Sequence, residues 1–185
     1  MVKISLPWLH NKAETKGIEA SQHYLIFGLG NPGSGYRNNR HNVGFMLIDH
    51  LVNRLGIRMS RIQFKSIYGS GDYLGRKLTL VKPQTFMNLS GQAVGSFVRY
   101  YKTDLDHICV VYDDLDLPYG TLRLRAGGSS SGQKGVASTI QQLGTQDFPR
   151  LRIGIGRPPG RMQAADYVLQ DFSAVEQKEL ETILD

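Results

Sequence analysis

One feature constrains the fold of this chain above all others: short apolar runs alternate with segments of helical period. "HYLIFGL" (23–29) and "HICVVYDDLDL" (107–117) open with residues that are apolar at nearly every position and are too short for helices. Such runs read as strands buried on both faces. Between them, "NVGFMLIDHLVNRLG" places Phe45, Ile48, Val52 and Leu55 at helical spacing and stops on Gly56. "NLSGQAVGSFVRYYK" puts Val94, Phe97, Val98 and Tyr101 on one face, with Asn88 or Ser90 available as the cap. "SGQKGVASTIQQLG" reads as a capped helix and "SAVEQKELETILD" as a final one. "SIYGSGDY", "RKLTLVK", "TLRLR" and "RLRIGIG" read as further strands. Strands alternating with helices predict an α/β fold: a single domain with a mixed, partly parallel sheet flanked by helices.

A length of 185 residues suits one domain with a core of its own. Residues 1–20 show no sustained period and read as an extension, poorly ordered at least in part, ahead of a domain over 21–185; Trp8 and Leu9 are its candidates for docking. A single cysteine, Cys109, rules out an intrachain disulfide framework, makes a reducing compartment the default and reads as a small buried hydrophobe. No apolar stretch approaches the about eighteen residues a membrane span needs, and no secretory signal opens the chain. A net charge of +6 points to a polyanionic partner.

Gly28, Gly30 and Gly33 stand in the spacing G-x-G-x-x-G after the first strand. A dinucleotide fingerprint also needs the third glycine to open a helix and an acid about twenty residues on at the end of a second strand. Here Pro32 lies inside the loop, polar "SGYRNNRHN" follows, and the helix begins only near Asn42; Asp49 falls within that helix. The loop therefore reads as a tight turn, Asn31-Pro32-Gly33, leading into a polar segment with Tyr36, Arg37, Arg40, His41 and Asn42. Ligands usually bind at the carboxyl ends of strands in such sheets, so His41 is a candidate base. Asp113, the first acid after the apolar strand, is placed to orient it, whereas Asp114 and Asp116 read as acids solvating a turn. A third stretch, "KPQTFMNLSG", holds Phe86 and Met87 in a loop beside Asn88, which offers both donor and acceptor.

Four stretches, "GLGNPGSGYRNNRHNVGF", "VKPQTFMNLSGQAV", "YDDLDLPYGTLRLR" and "LGTQDFPRLRIGIGRP", resemble in order the motifs of bacterial-type peptidyl-tRNA hydrolases, over nearly all of 24–185. The resemblance implies hydrolysis of the ester between a peptide and the 3′ ribose of tRNA, by a cytoplasmic monomer without metal or organic cofactor. By motif, His41 corresponds to the general base and Asp113 to its orienting carboxylate. Asn31 and Asn88 correspond to contacts with the peptidyl ester, and Tyr36, Phe86 and Met87 to the pocket for terminal nucleotide and peptide. Arg125 and Arg152 correspond to the cations that hold tRNA phosphate. Three departures stand out. Gln133 and Lys134 replace a His-Asn pair, which puts Lys134 forward as a substitute at the substrate. The extension before Tyr24 is unusual. The chain stops at Asp185 inside a helix where the family continues, so a fragment or a shortened lid is expected. The rival reading is a non-catalytic RNA-binding relative, like the intron-splicing factors that resemble this family; it would need the basic face but not His41 and Asp113.

Overall fold

The computed structural model describes residues 23–185, so the extension, with Trp8 and Leu9, lies outside the described residues. Seven strands form one sheet: β1 (His23–Gly28), β2 (Arg61–Gln63), β3 (Ser66–Tyr73), β4 (Arg76–Pro83), β5 (Ile108–Asp114), β6 (Leu122–Arg125) and β7 (Arg150–Gly154). Their spatial order is β2-β3-β4-β1-β5-β7-β6. The four central strands are parallel, and antiparallel pairs finish both edges. Among the described residues five α-helices accompany them: α1 (Val43–Leu55), α2 (Ser90–Tyr101), α3 (Lys134–Leu143), α4 (Ala164–Val168) and α5 (Ala174–Leu184).

The two cores follow from the period-two alternation of β1. Tyr24 and Ile26 face a core with Leu47 and Ile48 of α1, and with Tyr167, Phe172 and Leu180 from the C-terminal segment. Leu25 and Phe27 face the other, with Phe97 of α2, Val136 of α3 and Phe148. Helices on both faces of a parallel centre make a three-layer α/β sandwich, as the alternation predicts. Cys109 is buried, and burial pushes its thiol up to about 12.

Two of the three glycines serve packing, and the third serves the turn. A Cβ on Gly28 would lie 2.2 Å from the carbonyl oxygen of Gly44, so α1 can approach the end of β1 only with hydrogen there. A Cβ on Gly30 would meet the Phe45 ring at 2.8 Å, and Gly33 takes φ of 111° in the turn. The next α-helix begins at Val43, ten residues after Gly33, so Gly33 precedes only the 3-10 turn Ser34–Tyr36 and opens no α-helix.

Two local expectations need correction. Neither Asn88 nor Ser90 caps α2: its N-cap is Leu89, and no side chain bonds there. Packing supplies a partner from outside instead, since Gly91 N donates to Ser138 Oγ of α3 at 3.0 Å. Asp114 does not solvate a turn: it is the buried last residue of β5, accepting from Asp116 N and from Arg152. The short α4 and β2 carry no periodic signal long enough to read.

Candidate active site

Parallel strands all end on one side, so the loops after β1, β4 and β5 converge, and the N-terminus of α3 joins them. After β1 the chain makes two short 3-10 turns, Ser34–Tyr36 and Arg40–Asn42, and the second carries His41 at the mouth of α1. Asn31 and Asn42 clasp this loop reciprocally: Asn31 N donates to Asn42 Oδ1 at 2.8 Å, and Asn42 Nδ2 donates to the Asn31 carbonyl at 2.9 Å.

His41 Nδ1 lies 2.8 Å from Asp113 Oδ2, with the carboxylate side chain 2% exposed and the imidazole 12%. A carboxylate accepts only, so Nδ1 is the donor, and in the neutral imidazole the free lone pair is on Nε2. Nε2 makes no hydrogen bond among the described residues and is not sealed from solvent. Asp113 Oδ1, the second oxygen, accepts from Gln133 Nε2 at 3.0 Å. The same Gln133 caps α3, its Oε1 accepting from Val136 N at 2.9 Å. Sequence reasoning passed over Gln133 in favour of its neighbour. Lys134 is the exposed first residue of α3 and makes no hydrogen bond or ion pair among the described residues. The sequence carries no signal for Gln133 in this role, because glutamine is not among the residues that N-caps prefer.

Asn31 is buried, and its Oδ1 accepts from Met87 N at 2.8 Å, which ties the first loop to the loop after β4. Its Nδ2 makes no hydrogen bond among the described residues. Asn88 is exposed, and so is Phe86, at 56%. Tyr36 is half-buried. Met87 is not at the surface: it is 4% exposed, packs in the core, and its sulfur lies 3.3 Å from Gln133 Nε2. It forms the floor beneath the loop.

The antiparallel register of β6 and β7 pairs Arg123 with Arg152 and Arg125 with Arg150, so all four share one face. Only Arg123 and Arg125 are exposed. Arg152 pairs with Asp114, whose hydrogen bond raises the guanidinium's pKa further. Arg150 is 1% exposed; it donates to the carbonyls of Gln146 at 2.7 Å and Ser129 at 3.2 Å, steadying the loop that leads to Gln133.

Among the described residues, the one group of side chains close enough to share a metal ion is Asp104, Asp106 and His107. It precedes β5, at the opposite end of the strand from the dyad. No helix among the described residues is long and apolar enough to cross a membrane.

A family profile described as "Peptidyl-tRNA hydrolase" matches residues 25–185. The peptidyl-tRNA hydrolase of Bacillus subtilis (strain 168) is 50% identical over 161 residues, covering 87% of this chain and 86% of that protein. The chloroplastic peptidyl-tRNA hydrolase of Arabidopsis thaliana is 53% identical over 159 residues; the match covers 85% of this chain and 55% of the plant protein. The crystal structure of peptidyl-tRNA hydrolase from Acinetobacter baumannii superposes with a TM-score of 0.83 at 36% identity, covering 91% of this chain and 86% of the other.

Proposed function

This chain belongs to the peptidyl-tRNA hydrolase family and hydrolyses the ester joining peptide to tRNA, and we propose that His41, oriented by Asp113, is the general base of that reaction. The observation that carries this assignment is the 2.8 Å contact of His41 Nδ1 with a buried carboxylate, with Nε2 making no hydrogen bond among the described residues. An ester is activated enough that water and a positioned base suffice, without a covalent nucleophile. Nε2 takes a proton from water as the water oxygen attacks the ester carbonyl. Asp113 stabilises the imidazolium that forms. The Asn31 Nδ2 and Asn88 amides stand as donors for the developing oxyanion. The intermediate then collapses, the ribose 3′ oxygen leaves, and the imidazolium returns the proton to it, so acid and alcohol are released and the base is restored.

In the same reading, the exposed Phe86 ring and Tyr36 flank the terminal nucleotide, with Met87 supporting the loop from below. Arg125 holds tRNA phosphate, in company with Arg123. Arg152 takes part through Asp114 and the strand it braces. The enzyme works as a cytoplasmic monomer, which sedimentation at working concentration checks.

The test is release of N-acetyl-amino acid from N-acetyl-aminoacyl-tRNA. His41→Ala should lower turnover by about 10²–10⁴-fold, the usual worth of a general base, with little change in tRNA affinity. Near-normal turnover in that variant would end the assignment.

A further inference from the structure

Arg40 stands beside His41 in sequence, is only 7% exposed, and has no part in the proton transfers. Its guanidinium is given over to one segment, 167–176. Nη2 donates to Glu176 Oε2 at 2.8 Å and Oε1 at 3.0 Å, and Nη1 donates to the carbonyl of Asp171 at 2.6 Å and that of Gln170 at 3.3 Å. The guanidinium carbon lies 4.5 Å from the Tyr167 ring centre and 5.2 Å from that of Phe172. The adjoining backbone is held by the same segment. Arg40 N donates to the Gln170 carbonyl at 3.0 Å, and Phe172 N donates to the Asn38 carbonyl at 3.0 Å. Asn39 forms an antiparallel bridge with Asp171, and its Nδ2 donates to Asp171 Oδ1 at 2.6 Å.

We propose that Arg40 is a positioning residue: with Asn39 it locks the turn carrying His41 onto the C-terminal segment 167–176, and this clamp aims the imidazole at the substrate. The proposal rests on His41 being the base. Stability alone does not account for the arrangement. Arg40 Nε is sealed from solvent without a partner, and an apolar side chain between Tyr167 and Phe172 would avoid that desolvation. Replacing a buried ion pair by apolar side chains is often neutral or stabilising, so what the guanidinium adds is direction: a planar fork that reaches a carboxylate and two carbonyls fixes its own backbone in several directions at once. The residue so fixed is bonded to His41. A base must be held within about 0.5 Å of its productive position, and a misplacement of about 1 Å can cost roughly 10²-fold.

The experiment compares Arg40→Lys, Arg40→Met, Glu176→Gln and His41→Ala in cleavage of N-acetyl-aminoacyl-tRNA, each well below its own melting temperature. Arg40→Met should lower kcat by about 10- to 100-fold with KM changed by no more than about 2-fold. Arg40→Lys keeps the charge but not the fork, and Glu176→Gln keeps the volume but not the ion pair, so both should show smaller losses confined to kcat. Adding Glu176→Gln to Arg40→Met should cost nothing further, because the interaction is already gone. Should Arg40→Met not fold, the other two decide: normal kcat in both, with only a lowered melting temperature, reduces Arg40 to a stabilising role and overturns the proposal. The two readings fail separately. An inactive His41→Ala beside unimpaired clamp variants overturns the clamp alone, whereas an active His41→Ala overturns the base and the clamp with it.

Discussion

Gln133 holds three neighbours with one amide: the second oxygen of Asp113, the sulfur of Met87 and the first turn of α3. With His41 on one oxygen and Gln133 on the other, the buried carboxylate is fixed in orientation as well as in place. Gln133→Leu removes a donor to a charged acceptor, worth about 1.5 kcal/mol, and kcat should fall roughly 10-fold. It also removes a helix cap, so stability should drop by about 1 kcal/mol. Lys134→Ala, one residue on, should leave kcat unchanged and weaken tRNA binding only at low salt, as loss of an exposed cation does. Steady-state kinetics at two ionic strengths checks both. If Lys134→Ala lowers the plateau and Gln133→Leu does not, the roles are reversed.

Strands β6 and β7 present four arginines on one face, yet they serve at least two purposes because their surroundings differ. Arg125 is exposed and makes no ion pair among the described residues, so Arg125→Ala should reduce the slope of log affinity for tRNA against log salt by about one and spare the chemical step. Arg152 already neutralises Asp114, whose side chain is 5% exposed. Arg152→Ala would strand a buried carboxylate, so its main effect should be a loss of stability of about 3 kcal/mol. Adding Asp114→Asn should recover part of that loss. Urea unfolding of the single and double variants beside salt titrations of binding separates the two. A full unit of salt slope lost in Arg152→Ala without loss of stability would make Arg152 a phosphate ligand after all.

The C-terminal segment closes the molecule over its first loop, and one carboxylate sits at the seam. Burial by itself would raise the Glu176 pKa, but hydrogen bonds from Ser173 and the Arg40 guanidinium outweigh it, and the net direction is down. A carboxylate depressed on folding stabilises the native state above its unfolded pKa, near 4.5, and that contribution is lost as pH falls through the lower folded value. Glu176→Gln should therefore be less stable than the parent at neutral pH, and the gap should narrow as pH falls below the unfolded value and through the lower folded one. Chemical denaturation midpoints from pH 3 to 7 follow the convergence; a gap independent of pH would show that the loss comes from the capping box rather than from the charge.

The alternation of apolar runs with helical periods was enough to predict the layers, because burial on two faces and burial on one stripe write different periods into a chain. The strand ends were legible for the same reason: Asp113 follows an unbroken apolar run, and His41 follows a turn that glycine and proline mark. The end of one strand and the loop after another are brought to one side by the rules for parallel sheets. Partners across long sequence separations were not legible. Lys134 was singled out over Gln133 because charge is visible in a sequence and the direction of a side chain at a helix start is not. Arg152 looked as free as Arg125 because only the pairing of β5 with β7 sets it against Asp114. Arg40 looked like one more cation in a polar loop until the chain's last third folded over it. Sequence periodicity reports how much of each residue is buried, whereas the neighbour that does the burying is decided by packing, and the work of a buried charged group depends on that neighbour.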